Sequence, residues 1–259
     1  MSILDKNIDE YYSKGFTHVK NVIPKSDLEI VREEVFLDGT YRTENNVSNG
    51  DEKDFGNGVW WKGFDMATHV SPILKEYYES HMMYDLSKKF FKSDEFYFFN
   101  DEIVIKYANE PNKFMLHTDA EYGPQPNLDF HHINFYWILD DFTDKNGAIR
   151  FQDIREERVT EENLWLDHGD EPPGGGWEWL YPKKGDVVVF SGKTLHYSVP
   201  NLTNGHRRAW SCQYTSIPIG NLPYDNKKHN CDTWKWFYSD RFVTKSQKYL
   251  VKSRMASSF

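Results

Sequence analysis

The chain has 259 residues, 39% of them hydrophobic and 17% aromatic, and its 40 acidic against 31 basic side chains give a formal charge of -9. That length suits one large domain or two small ones, an all-β barrel with helical additions commonly fills it as one unit, and the acidic balance offers no basic stripe for DNA or RNA. No run approaches the roughly 18 consecutive apolar residues needed to cross a bilayer, and no apolar stretch follows Met1-Ser2, so the expectation is a cytoplasmic protein without membrane or nucleic-acid partners, with Cys212 and Cys231 as free thiols.

The elements are predicted as follows, in chain order. Phe16-Thr17-His18-Val19 reads as a short strand. Pro24 and a possible capping box, Ser26-x-x-Glu29, precede Leu28, Ile30, Val31 and Val35 and predict an amphipathic helix. The polar stretch from Asp38 to Gly58, rich in Asn and Gly, reads as a loop and a candidate lid. The Trp60-Trp61 pair behind it reads as packing rather than substrate contact. From Ser71-Pro72 to about Lys92, Leu74, Tyr77, Tyr78, His81, Met82, Leu86 and Phe90 recur at helical spacing and predict a second helix.

After Ser93 come short runs rich in Val, Ile, Phe, Tyr and Trp between turn residues, which predict strands at 95–99, 103–107, 114–119, 132–139, 148–152, 177–181, 186–190, 195–199 and 207–217. Helices followed by strands imply an α+β chain with a double-stranded β-helix, or jelly-roll, core. We expect a single domain over 1–259: a helical part to about 92, a barrel over 93–220 and a packing tail over 221–259. Asn46-Val47-Ser48 and Asn201-Leu202-Thr203 read as chance matches to the glycosylation pattern. His131 and His132 beside Asp129 resemble a second cluster but read as a loop and strand start.

His117-Thr118-Asp119 carries the chemistry. On an extended strand residues two apart face one way, so this imidazole and carboxylate can grip one ion, with His196 as third ligand. Two imidazoles and a carboxylate on one side of Fe(II) leave the opposite positions open for oxygen activation. The turn Pro200-Asn201-Leu202-Thr203-Asn204-Gly205 reads as closing a hairpin centred near Asn201 and Leu202. Antiparallel pairing about that centre sets Arg207 opposite His196, with Ser198 on the same face. Arg208 is the alternative inward residue, and Ser198 can instead satisfy backbone groups. A guanidinium beside a metal forms a bidentate contact with a carboxylate, as a keto acid chelating the iron requires.

The chain resembles the phytanoyl-CoA dioxygenase family of Fe(II)- and 2-oxoglutarate-dependent oxygenases. The likeness lies in Lys14-Gly15-Phe16 through Ile23-Pro24, in His117-Thr118-Asp119, in Asn146-Gly147-Ala148, in Lys184-Gly185-Asp186-Val187-Val188-Val189-Phe190 leading to Leu195-His196, and in Arg207-Arg208-Ala209-Trp210-Ser211-Cys212. The resemblance implies that His117, Asp119 and His196 hold the iron and that Arg207 anchors the distal carboxylate of 2-oxoglutarate. It also matches Ser198 to the position two after the distal histidine and Tyr136 to an aromatic beside the cosubstrate, although Tyr136 also reads as plain core. Phe151-Gln152-Asp153 stands where a Pro-Gly-Ser-His turn is usual, and Thr118 where Gln is frequent; both departures bear on substrate more than on chemistry.

The implied activity is oxidation of an unactivated C–H bond of a small-molecule metabolite by dioxygen, with 2-oxoglutarate decarboxylated to succinate. Hydroxylation, desaturation and ring closure all stay open. Halogenation is not expected, because related halogenases have Gly or Ala at the carboxylate position and here Asp119 fills it. Three rival readings are a metal-binding or sensing jelly roll without turnover, a zinc or cupin-type hydrolase or isomerase, and a protein-modifying hydroxylase.

Overall fold

The computed structural model describes residues 3–44, 53–54, 60–61, 63–65, 71–78, 80–109, 111, 113–122, 130–157 and 164–216. Most of the expected 38–58 loop, the Asn46 sequon, Asp129, Cys231 and the 221–259 tail lie outside the described residues, as do the side chains of Trp60 and Trp61.

The chain opens with a helix that the sequence reading did not predict, α1 (Ile3–Lys14). Leu4, Ile8 and Tyr11 stand at helical spacing and pack inward, but the segment is otherwise polar and short. Gly15 ends it at φ +86, its N–H donating to the carbonyl of Tyr11 at 2.8 Å. Strand β1 (Phe16–Val19) and helix α2 (Lys25–Glu44) follow. Helix α2 runs six residues past Asp38, where the loop was expected, because one glycine, Gly39, costs a helix only about 1 kcal/mol and need not stop it. Three short strands come next: β2 (Lys53–Asp54), β3 (Trp60–Trp61) and β4 (Gly63–Asp65).

The single helix expected over 71–92 is two, α3 (Pro72–Tyr78) and α4 (His81–Phe91). Ser80 breaks them: its backbone is extended (φ -68, ψ 157) and its side chain caps α4 by accepting from Met83 N. The two strands expected over 95–107 are instead one, β5 (Tyr97–Lys106). The polar pair Asn100-Asp101 is no turn, since buried Asp101 accepts from Trp210 Nε1 at 2.9 Å.

The remaining strands are β6 (Phe114–His117), β7 (His132–Ile138), β8 (Ile149–Gln152), β9 (Trp177–Leu180), β10 (Val187–Ser191), β11 (His196–Ser198) and β12 (Arg207–Thr215). They form a six-stranded sheet in the order β1-β10-β7-β12-β5-β4 and a four-stranded sheet in the order β6-β11-β8-β9. Every pairing in these two sheets is antiparallel. This is the expected jelly roll. No described helix is long and apolar enough to cross a membrane.

Strand alternation sorts each strand of the large sheet between two buried faces. Phe135, Trp137, Val187, Val189, Trp210 and Cys212 meet the helices, where Val31, Leu74 and Phe90 are fully buried. Each such aliphatic or aromatic side chain contributes about 1.5–3 kcal/mol by leaving water. Tyr136, Ile138, Val188, Phe190 and Ala209 face the other way and meet Phe151 of the small sheet. Arg207, Ser211 and Gln213 share the parity of Ala209, and Asn134 that of Tyr136. Polar side chains are thereby threaded into the space between the sheets.

Candidate metal and anion site

The hairpin expected between β11 and β12 does not form. Strand β11 pairs with β6 and β8 in the small sheet, while β12 pairs with β5 and β7 in the large one. The turn between them crosses from one sheet to the other. It is organised by Asn201, which is fully buried and donates through Nδ2 to the carbonyls of Lys106, Tyr107 and Gly205. Its sequon is therefore a turn-forming motif, and the strand opposite Arg207 is β5, with Lys106 as its partner.

Opposite His196 stands His117. The two rings lie 4.3 Å apart between centroids. Strand β6 ends at His117, and Asp119 opens a short 3-10 turn, Asp119–Tyr122, rather than continuing the strand as expected. Its Oδ1 lies 3.5 Å from His117 Nε2 and 3.6 Å from His196 Nε2. One ligand atom from each of the three falls within 4.8 Å of the others. The structure thus brings together the three residues expected to bind a metal.

Their chemistry suits a cation. His117 Nδ1 lies 2.6 Å from the carbonyl of Met115 and His196 Nδ1 3.0 Å from that of Thr194. A carbonyl only accepts, so each Nδ1 carries the proton and each Nε2 presents its lone pair to the site. Burial, reinforced by His117, lowers the His196 pKa to about 4 and keeps the ring neutral. Burial works to protonate Asp119, but at the low pH where the neighbouring imidazoles are charged their attraction outweighs it and holds the carboxyl below its ordinary range. Phe151 stacks on His196 and Phe190 meets its edge.

The cavity in front of these groups is also lined by Tyr136, Ser198, Glu102, Asn134 and Ser211. Arg207 stands behind Tyr136, donating from Nη1 to its hydroxyl at 3.1 Å, with Phe142 beneath its guanidinium at 4.5 Å. It is the inward residue of the pair: Arg207 is fully buried, whereas Arg208 is held by Asp140. Among the described residues Arg207 Nε and Nη2 and Ser198 Oγ have no hydrogen-bond partner. Buried donors left in this state are costly, and Nε with Nη2 is the side of a guanidinium that grips a carboxylate through two bonds. This matches the donor set that an anionic cosubstrate needs. Burial pushes the Tyr136 phenol up to about 12, so it stays protonated beside the guanidinium. Lys106 Nζ donates to the carbonyls of Val199 and Ser198 at 2.6 and 3.4 Å and fixes the end of β11.

His131 and His132 form no second cluster in the described residues. His131 is exposed, while His132 is buried against Gln213. Cys212 is a buried free thiol. Sequence reasoning passed over Asn134, Ser211, Glu102 and Lys106. The available signal was a polar residue inside an otherwise apolar strand, as Asn134 is between Ile133 and Phe135.

Against known proteins, residues 11–209 match the family model described as phytanoyl-CoA dioxygenase. The chain belongs to that family. It is 30% identical over 158 residues to the multifunctional dioxygenase prhA of Penicillium brasilianum, covering 57% of this chain and 52% of that protein. To the Fe(II)/2-oxoglutarate-dependent dioxygenase nvfF of Aspergillus novofumigatus it is 29% identical over 161 residues, covering 57% and 48%. The chain thus matches about half the length of these curated relatives. Among solved structures, the non-heme alpha ketoglutarate dependent carbocyclase SnoK from nogalamycin biosynthesis superposes with a TM-score of 0.67 at 16% identity, over 89% of this chain and 90% of that one. That likeness extends to the fold.

Proposed function

We propose that the chain is a non-haem Fe(II)- and 2-oxoglutarate-dependent oxygenase, one domain over its whole length, that oxidises an unactivated C–H bond of a small-molecule metabolite. The observation that carries this reading is the pairing of the His117–Asp119–His196 cluster with a buried guanidinium whose carboxylate-binding edge has no hydrogen-bond partner among the described residues. His117 and His196 hold iron through Nε2, and Asp119 holds it through Oδ1. Arg207 takes the distal carboxylate of 2-oxoglutarate, with Ser198 Oγ and the Tyr136 hydroxyl beside it. Held there, iron and 2-oxoglutarate would supply, with dioxygen, an oxidant for C–H bonds, the 2-oxoglutarate being converted to succinate and carbon dioxide.

The protein's own part is orientation and dryness. Phe151, Phe190 and Phe142 wall the polar groups off from water, which strengthens charge interactions and keeps a reactive oxidant from solvent. The relatives named for dioxygenase chemistry support this reading. So does the presence of a carboxylate ligand, which argues for hydroxylation, desaturation or ring closure over halogenation.

The test is anaerobically purified protein supplied with Fe(II), 2-oxoglutarate and air, with succinate measured by chromatography. Succinate release that depends on Fe(II) and is lost in Asp119→Ala is expected. A non-catalytic metal-binding module would bind metal with no release and with indifference to Arg207→Ala. A hydrolase or isomerase would turn over without 2-oxoglutarate.

A further inference from the structure

Beyond the three ligands, the described residues contain a buried polar chain that ends on one of them. Asn134 Nδ2 donates to Asp119 Oδ2 at 3.0 Å. Ser211 Oγ donates to Asn134 Oδ1 at 3.0 Å, and Gln213 Nε2 donates to Ser211 Oγ at 3.1 Å. Gln213 Oε1 in turn lies 3.0 Å from His132 Nε2. All four side chains are at most 5% exposed, and two stand on each of the adjacent strands β7 and β12.

The direction of every bond in this chain is forced. An ionised carboxylate only accepts, so Asn134 must present its NH2 to Asp119 and its carbonyl to Ser211. The Ser211 hydroxyl must then donate to that carbonyl, and its oxygen is left to accept from the Gln213 amide. The Gln213 carbonyl then faces His132, which must donate from Nε2. Reversing any one group would set two acceptors against each other in a dry interior, where an unmet polar group is expensive.

The far end is anchored as well. A Cβ on Gly192 would sit 2.2 Å from His132 Nδ1, so only glycine admits the ring. Gly192 N donates to the His132 carbonyl, and Gly192 O accepts from Ala120 N, both at 2.8 Å. Ala120 follows Asp119 directly. His132 at one end of the chain and the backbone of the residue that follows Asp119 at the other are therefore tied to the same glycine.

We propose that Asn134 is the positioning residue of the metal centre: its amide, oriented through Ser211, Gln213 and His132, occupies Asp119 Oδ2 and reserves Oδ1 for the metal. This inference rests on the reading of His117, Asp119 and His196 as metal ligands. Its chemical consequence is a carboxylate that binds through one oxygen. The coordination position that a second oxygen would fill stays open for cosubstrate and dioxygen. It also gives His132 a function as the orienting end of the network.

The test is anaerobic titration of metal-depleted protein with Co(II), followed by visible absorption, which reads affinity and ligand geometry without turnover. Asn134→Ala is expected to weaken Co(II) binding about 10–100-fold and to move the absorption bands, because Asp119 becomes free to bind through both oxygens. Ser211→Ala is expected to weaken it less, within about tenfold, while Ser211→Thr, which keeps the hydroxyl, restores wild-type binding. The double variant Asn134→Ala/Ser211→Ala is expected to bind no more weakly than Asn134→Ala alone, since Ser211 acts through Asn134. Should Asn134→Ala fail to fold, the Ser211→Ala and Ser211→Thr pair carries the same prediction. Wild-type affinity and bands in Asn134→Ala, or losses that multiply in the double variant, overturn the inference alone. Wild-type protein that takes up no Co(II) overturns the metal-centre reading and the inference with it.

Discussion

The two poles of the cavity are built on opposite principles. At the small-sheet pole each ligand is already tied down on its far side: His117 by the Met115 carbonyl, His196 by the Thr194 carbonyl and Asp119 by Asn134. Around the Arg207 guanidinium the reverse holds, and Arg207 Nε and Nη2 of the large sheet and Ser198 Oγ of the small one are buried with no hydrogen-bond partner among the described residues. The first pole is complete in its protein contacts and turns lone pairs toward a cation. The second keeps donors desolvated, and an anion would satisfy them. A fold can store binding capacity either as oriented acceptors or as unmet donors, and either kind of buried group carries a cost until its ligand arrives.

The sharpest way to break this contrast is to remove a ligand. Asp119→Ala or His196→Ala is expected to lower metal affinity by more than the roughly 10–100-fold typical of residues one step removed from a metal, with succinate formation falling to background. The protein should stay folded, because the site is not its core. Metal titration together with circular dichroism checks both points. Unimpaired metal uptake in either variant would defeat the assignment of the first pole.

Arg207→Lys is expected to act on the second pole alone. Lysine keeps the charge but offers a point in place of a fork. Losing one or two charge-assisted bonds costs about 1.5–3 kcal/mol, which is roughly 10–100-fold in half-saturating 2-oxoglutarate. Metal affinity in the absence of 2-oxoglutarate should not change. A variant that lost both in proportion would show that the poles are one structural unit.

The two poles also differ in how far they could be read from sequence. His117 and Asp119 sit two residues apart, so local geometry sufficed to group them even though Asp119 lies just beyond its strand. Alternation allowed only one of Arg207 and Arg208 to face inward, and the hairpin pairing that selected Arg207 does not form, so the right residue was reached through a wrong neighbour. The hairpin register failed because period-two patterning fixes which way a side chain points but not which sheet the strand joins. The residue that organises the turn, Asn201, bonds to the carbonyls of Lys106 and Tyr107, about 95 positions earlier. Helix α1 escaped notice because only Leu4, Ile8 and Tyr11 mark its buried side. Asn134 had no local signal beyond its polarity, because its role exists only once β7 lies against β12.

A smaller effect sharpens the rigidity of the first pole. Gly192→Ala drives a methyl into the His132 ring, and overpacking of this kind costs about 1–3 kcal/mol. Denaturant unfolding should show that loss. His132→Ala in the same chain should recover part of it by vacating the contested space, whereas an additive further loss would place the clash elsewhere.

The smallest expected effect is the one that distinguishes the poles most directly. Ser198 Oγ is buried with no partner among the described residues, so in the ligand-free protein Ser198→Ala removes a desolvated hydroxyl whose burial costs about 1–3 kcal/mol. It leaves only a small void. The thermal midpoint should therefore hold or rise slightly. With metal and 2-oxoglutarate bound, the same hydroxyl gains its acceptor, and the stabilisation that cosubstrate confers should be smaller in Ser198→Ala than in wild type. A structural hydroxyl would lower both midpoints alike. A change of sign between the empty and loaded forms is what a donor kept for a ligand requires, and no corresponding reversal is expected for Asn134→Ala, whose partners are all within the protein.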